Sequence, residues 1–251
     1  LKTLAELGIT SISTSHTSDT ISGGHAVAGT STYVINGNTR ATADVLLETD
    51  QVDSWYIGDG TAASLDIDLD TLFLPLSRGY GDLPALHYAM TQDAALKTLM
   101  TNFATTNVAT GIHTIYDQLD AILYQWAGMA GVSPTSRGAF IDARELETIE
   151  EVYGQSFYNV GDQTYDPIEF YARLLGKAWA QFSGEMLNRL LVQGPLANVF
   201  ENAWYSFTTD KLMMNDTLAD ILARAQANAP TNTIDTQVYW DGIAHIVATY
   251  H

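Results

Sequence analysis

The sequence predicts an α+β fold: a β-rich N-terminal third followed by a mainly helical C-terminal two-thirds. Three observations carry this. His25 to Ile35 and Asn38 to Leu47 are extended runs flanking Asn36-Gly37, a hairpin signature because both turn residues take positive φ. Leu65-Asp66-Ile67-Asp68-Leu69-Asp70 alternates with the period of two that a half-buried strand shows. Beyond Pro84 the apolar period becomes helical, most clearly at Ile115, Leu119, Ile122, Trp126 and Met129. The composition shifts between Ser77 and Asp82, which sets the expected regions at 1–78 and 79–251.

Taken in order, Leu1 to Leu7 reads as a helix end with Gly8 as its C-terminal cap. Ile9 to His16 reads as a strand. The hairpin follows, and a two-residue turn pairs Tyr33 with Arg40. The period of two from Leu65 predicts a strand with Asp66, Asp68 and Asp70 on one face, and Pro75 marks its end. Helices are expected from Pro84 to Met90 and, capped by Asp93, to about Phe103. The helix–turn–helix from Gly111 to Leu146 is the keystone; its first helix carries that stripe, widened by Tyr116 and Leu123, and runs out near Ala127-Gly128. Asp142 caps the next, with Glu145 at the third position of a capping box. Asp166-Pro167-Ile168-Glu169 opens the longest helix, with Asp166 as cap and Phe170, Leu174, Trp179, Phe182, Met186 and Leu190 inward. It reaches Gln193 before Gly194-Pro195. Leu196 to Phe207, Asp216 to Ala227 and Asp235 to Tyr250 complete the helical set.

Composition limits the function. The 251 residues hold 29 acidic and 11 basic side chains, a net charge of −18. That balance repels nucleic acid and anionic membranes. It suits cations, Ca²⁺ above all, whose ligands are carboxylate and carbonyl oxygens; it also suits plain solubility. Cysteine is absent, which excludes disulfides, thiolate metal sites and cysteine nucleophiles. No stretch approaches the roughly 20 apolar residues of a membrane span. The chain opens Leu1-Lys2-Thr3-Leu4, with neither initiator methionine nor signal peptide, and reads as cut from a longer polypeptide.

Three patches carry a family likeness: Leu1-Lys-Thr-Leu-Ala-Glu-Leu-Gly-Ile9; Gly79-Tyr-Gly-Asp-Leu-Pro-Ala-Leu-His-Tyr-Ala-Met90; and Ile122-Leu-Tyr-Gln-Trp-Ala-Gly128 with Arg137-Gly-Ala-Phe-Ile-Asp-Ala-Arg144. Together they resemble a non-repeat region of very large secreted bacterial RTX proteins, the haemolysin-type calcium-binding-repeat proteins, with their adhesin-like and toxin-like members. The resemblance implies type I secretion, a secreted or cell-surface location and a calcium-rich setting. Neighbouring domains of a larger polypeptide and a cell-surface ligand are the implied partners. In that family an acidic calcium loop commonly precedes the leucine-rich start; it lies outside this chain. The glycine-rich nonapeptide repeat is absent too.

Candidate chemistry is sparse. Asp66, Asp68 and Asp70 are candidate calcium ligands, although same-face strand residues lie roughly 7 Å apart and at most two could share an ion. Asp50, Asp53 and Asp59 form a looser acidic loop of the same character. The six histidines show no zinc-site spacing, and there is no nucleophile elbow or phosphate loop. Glu147, Glu150 and Glu151 read as a solvated helix face. Some members of the resembled family cleave themselves at an Asp-Pro bond under calcium, but Asp166-Pro167 also suits a helix start. The sequence therefore points to a non-catalytic structural or adhesive module. Its alternative is an enzyme-like module, self-processing at an Asp-Pro bond or a hydrolase with a site assembled across both regions.

Overall fold

A computed structural model describes residues 3–15, 20–22, 25–46 and 67–250. The protein is a mixed α+β chain in two compact units, Leu1–Gln51 and Val52–His251. The expected boundary at Ser77–Asp82 lies inside the second unit, where that segment is bonded to its helices.

The first unit is a four-stranded antiparallel sheet: β1 (Ile9–Ile12), β2 (Thr20–Ser22), β3 (His25–Ile35) and β4 (Asn38–Leu46). Long β3 pairs with the other three. Asn36 and Gly37 both take positive φ, and Tyr33 faces Arg40 across the hairpin, as the Asn-Gly turn requires. Leu4 to Gly8 is a turn in which Gly8 takes φ +73°.

In the second unit a 3-10 helix over Leu69–Phe73 comes first. Then follow α1 (Leu86–Gln92), α2 (Ala94–Ala104), α3 (Ile115–Trp126), α4 (Ala143–Tyr153) and α5 (Glu169–Gln193). A hairpin of β5 (Ala203–Ser206) and β6 (Lys211–Met214) precedes α6 (Leu218–Asn228) and α7 (Thr233–Tyr250). Among the described residues, the buried apolar core runs from Leu83 to Ile246. Its centre is α3, which packs on α2, α4 and α5. The predicted stripe is there: Ile115, Leu119, Ile122, Leu123 and Trp126 are all buried, whereas Tyr116 is exposed. The Trp126 indole N–H donates to the Pro84 carbonyl at 2.9 Å, fixing the start of α1 to the end of α3. Asp93 caps α2 through Ala95 N and Leu96 N, and Asp142 caps α4 through Arg144 N.

Three expectations are corrected. Of the strand predicted at 65–70, residues 65 and 66 lie outside the described residues, and at Asp68 a helical turn begins instead. The Asp68 carboxylate accepts from Asp70 N and its carbonyl from the Thr71 hydroxyl, local bonds that start this turn. The longest helix begins at Glu169, with Ile168 as N-cap and no side-chain cap, so Asp166 does not cap it. Pro167 is buried instead, in the segment leading to Ile168. Phe170 and Leu174, expected inward, are 64% and 51% exposed. The third correction is at Leu196 to Phe207, which ends in β5 rather than a helix. Trp204-Tyr205-Ser206 has strand composition, and Asp210 accepts φ +51° in the turn that follows.

Candidate functional site

A concave surface lies between the C-terminal half of α4 and the N-terminal half of α5. Arg137 builds it. The turn before α4 presents this guanidinium to Glu150 as a two-bond fork at 2.9 and 2.8 Å. It also donates to the Tyr165 carbonyl at 2.7 Å and lies 3.5 Å from Glu147 and 3.8 Å from Asp166. Glu150 accepts a further bond from Phe157 N at 2.8 Å. One ion pair thus ties the turn before α4, α4 itself and the 155–166 loop together. The hydrogen bond to Glu150 is the main reason the Arg137 cation is held more firmly than usual.

The other wall comes from the segment before α1. Gly81 takes φ +52°, and a Cβ there would lie 2.4 Å from the Glu151 carbonyl, so only glycine lets the chain pass the end of α4. Asp82 N donates to that carbonyl at 2.8 Å. Gly154, at φ +64°, ends α4 beside it.

Two hollows result, sharing Glu150, Gln155 and Ser156. The first, about 530 Å³, is lined by Tyr153, Phe157, Tyr158, Tyr171, Leu174 and their neighbours. Tyr153 is 70% exposed, and Tyr158, Tyr171 and Leu174 are also well exposed. Tyr171 and Leu174 lie on the exposed side of the first turns of α5. The second hollow, about 370 Å³, is lined by Asp82, Glu147, Glu150, Glu151 and Arg137. It sets four carboxylates against one cation. Burial pushes the Glu151 carboxyl up, with Asp82 and Glu150 adding repulsion. Glu147, Glu150 and Glu151 are therefore not a plain solvated face: Glu150 is largely buried in an ion pair.

Of the expected calcium ligands, Asp68 and Asp70 lie among the described residues. Asp50, Asp53, Asp59 and Asp66 lie outside them. Asp68 spends its oxygens on Asp70 N and, at 2.5 Å, on the Lys97 ammonium. Asp70 is 3.8 Å from the same ammonium. Asp68 and Asp70 thus share one lysine cation. Among the described residues no group of three or more His, Asp or Glu side chains is placed to hold a metal.

Two further polar clusters were not foreseen. Arg189, buried on α5, donates to Ser77 Oγ at 2.9 Å and to Tyr80 OH, and pairs with Asp210 at 2.9 Å. Tyr80 and Tyr205 donate to the same carboxylate at 2.8 and 2.6 Å. Arg78 lies 3.3 Å from it. Burial opposes the Arg189 cation, but Tyr80, Tyr205 and Asp210 around it keep it charged. This network fastens the Ser77–Tyr80 segment to α5 and the β5–β6 turn. In the second cluster, His113 Nδ1 lies 2.6 Å from Asp235 Oδ1, and His113 N donates to that oxygen at 3.0 Å. Asn232 takes the other oxygen and accepts from Asp235 N at 2.9 Å, closing the start of α7. Neither cluster had a sequence signal, because each joins residues more than a hundred positions apart.

Comparison with protein-family models, with curated proteins and with solved structures finds no match to the chain. Among the described residues, no helix is long and apolar enough to cross a membrane.

Proposed function

We propose that this chain is a non-catalytic structural or adhesive module of a large secreted, calcium-dependent protein of the RTX type, and that the α4–α5 cleft is its recognition surface. The observation that carries this reading is the exposed aromatic lining of the cleft beside a crowded acidic pocket. Exposed apolar surface gathered in a concavity marks an interaction site far more often than scattered apolar residues do. The resemblance supports the same place. Its second and third patches pack together through Trp126 and Pro84, and they contribute Asp82 and Arg137 to the acidic hollow. Neighbouring domains of the parent polypeptide and a cell-surface ligand are the partners this reading implies. Calcium would be held by carboxylates among Asp50, Asp53, Asp59, Asp66, Asp68 and Asp70, of which Asp68 is already paired with Lys97.

The alternative is self-processing at Asp166-Pro167, and one observation favours it. Asp166 is not tied to a helix cap, and among the described residues its carboxylate, 52% exposed, is held by the 3.8 Å pairing with Arg137. Intact-mass analysis after incubation with millimolar Ca²⁺ separates the two readings. An unbroken chain supports the module, and fragments dividing after Asp166 support processing.

The cleft is tested by calorimetric titration of the native chain with neutral oligosaccharides and with basic and neutral peptides. Each titration is repeated with the double variant Tyr153→Ser/Leu174→Ser. Both side chains are exposed, so the fold tolerates the change. A ligand that binds the native chain and loses about tenfold in affinity with the variant supports the reading. Ligands that bind both proteins equally contradict it.

A further inference from the structure

We infer that the cleft takes a basic amphipathic peptide segment, with a Lys or Arg side chain in the acidic hollow and an adjoining aliphatic or aromatic side chain in the tyrosine-lined one. The inference rests on the reading of the cleft as a recognition surface and adds the chemistry of its occupant.

Charge is the first ground. Asp82, Glu147, Glu150 and Glu151 face the acidic hollow with Arg137 as its one cation. Most of what Arg137 offers is already spent on Glu150 and the Tyr165 carbonyl. Asp82 and Glu151 line the same hollow, and an added cation relieves the repulsion that Asp82 exerts at Glu151. A guanidinium or ammonium entering there meets carboxylates with free acceptor capacity in a partly desolvated setting, where charge-assisted bonds are strongest. An anionic ligand meets the opposite, and the −18 charge of the chain repels it before contact.

Continuity is the second ground. Glu150, Gln155 and Ser156 line both hollows, so one ligand can enter both. The tyrosine-lined hollow has the size of a small-ligand pocket and is walled by Tyr153, Tyr171 and Leu174. A simple amine fills the acidic hollow and leaves this one unused. A neutral glycan stacks on the tyrosines and leaves the carboxylates without a counter-charge. A peptide with a basic residue beside an apolar one satisfies both.

The test is calorimetry of the intact chain with the peptide Ac-Gly-Arg-Leu-Phe-Gly-amide. Two control peptides accompany it: one with glutamine for arginine, the other with serine and glycine for leucine and phenylalanine. Each control is expected to bind about tenfold more weakly than the parent peptide. Glu151→Gln should weaken the arginine peptide and leave the glutamine peptide unchanged. Asp220→Asn, which removes the same charge from α6 outside the cleft, should alter neither at about 0.15 M salt.

Equal binding of the arginine and glutamine peptides overturns the inference. So do equal losses from Glu151→Gln and Asp220→Asn, since that reports only the net charge. A neutral hexasaccharide that binds and depends on Tyr153 and Leu174, where the peptides do not bind, overturns the inference while the recognition-surface reading stands. If no probe depends on Tyr153 and Leu174, both are wrong.

Discussion

Arg137 is the residue on which the cleft depends, because three separate segments meet on its guanidinium. Replacing it by methionine leaves Glu150 largely buried without its partner. Breaking one side of such a pair costs about 3 kcal/mol, read as a lower urea midpoint. If Arg137→Met unfolds at the same urea concentration as the native chain, the pair is not what joins these segments. A second residue-scale consequence concerns pH. Burial raises the Asp120 carboxyl, Asp117 and Asp142 raise it further, and Arg144 opposes them. Across from it, Glu145 is raised for the same reasons, burial first. A carboxyl whose folded-state pKa lies above its unfolded value costs stability when ionised. That cost disappears as pH falls below the unfolded value of about 4. Asp120→Asn should therefore raise the melting temperature at neutral pH, with the gain shrinking to nothing near pH 3. A gain that is constant with pH, or a loss at neutral pH, would show that the charge is not the cause.

At the scale of elements, α3 is the central helix of the second unit. Trp126 is buried at its end, and its N–H is committed to Pro84. Trp126→Ala should cost about 3–5 kcal/mol in chemical denaturation. The helix starts give a sharper contrast. Asp142 caps α4, so Asp142→Ala should cost about 1 kcal/mol. Asp166 caps nothing, so Asp166→Ala should stay within about 0.5 kcal/mol of the parent. Equal losses from the two variants would restore Asp166 to the start of α5. Sequence and structure part company here for physical reasons. Asp-Pro-x-Glu is a good local helix start, but nothing local says that the proline ring is buried ahead of the first turn. Phe170 and Leu174 after it, read as inward by their spacing, are therefore held out of the core. At 67–70 the strand period failed for a related reason, since a capping aspartate and a bonded threonine outweigh alternation. By contrast, Asn36-Gly37, Asp93, Asp142 and the α3 stripe were legible because each depends on contacts within a few residues. The cleft was legible only in its parts, as a glutamate cluster and an arginine in a turn. Its assembly needs the passage of Gly81 against the end of α4, a contact between residues 70 positions apart.

For the molecule as a whole, the acidic surface and the calcium-rich setting implied by the resemblance make one joint prediction. Millimolar Ca²⁺, but not Mg²⁺, should raise the melting temperature, because an ion bound only by the folded state stabilises it by mass action. The gain should survive Asp68→Asn, since that carboxylate is already paired with Lys97. The absence of any gain would leave the acidic residues as solubilising groups. The central claim, that the α4–α5 cleft is the recognition surface, is tested most directly by mapping amide chemical shifts of the intact chain during titration with Ac-Gly-Arg-Leu-Phe-Gly-amide. The account predicts that the changes concentrate at Asp82, at 150–158 and at 168–178. Changes concentrated instead around Asn188, Asp241 and His245, which line a separate hollow beside α7, would contradict it.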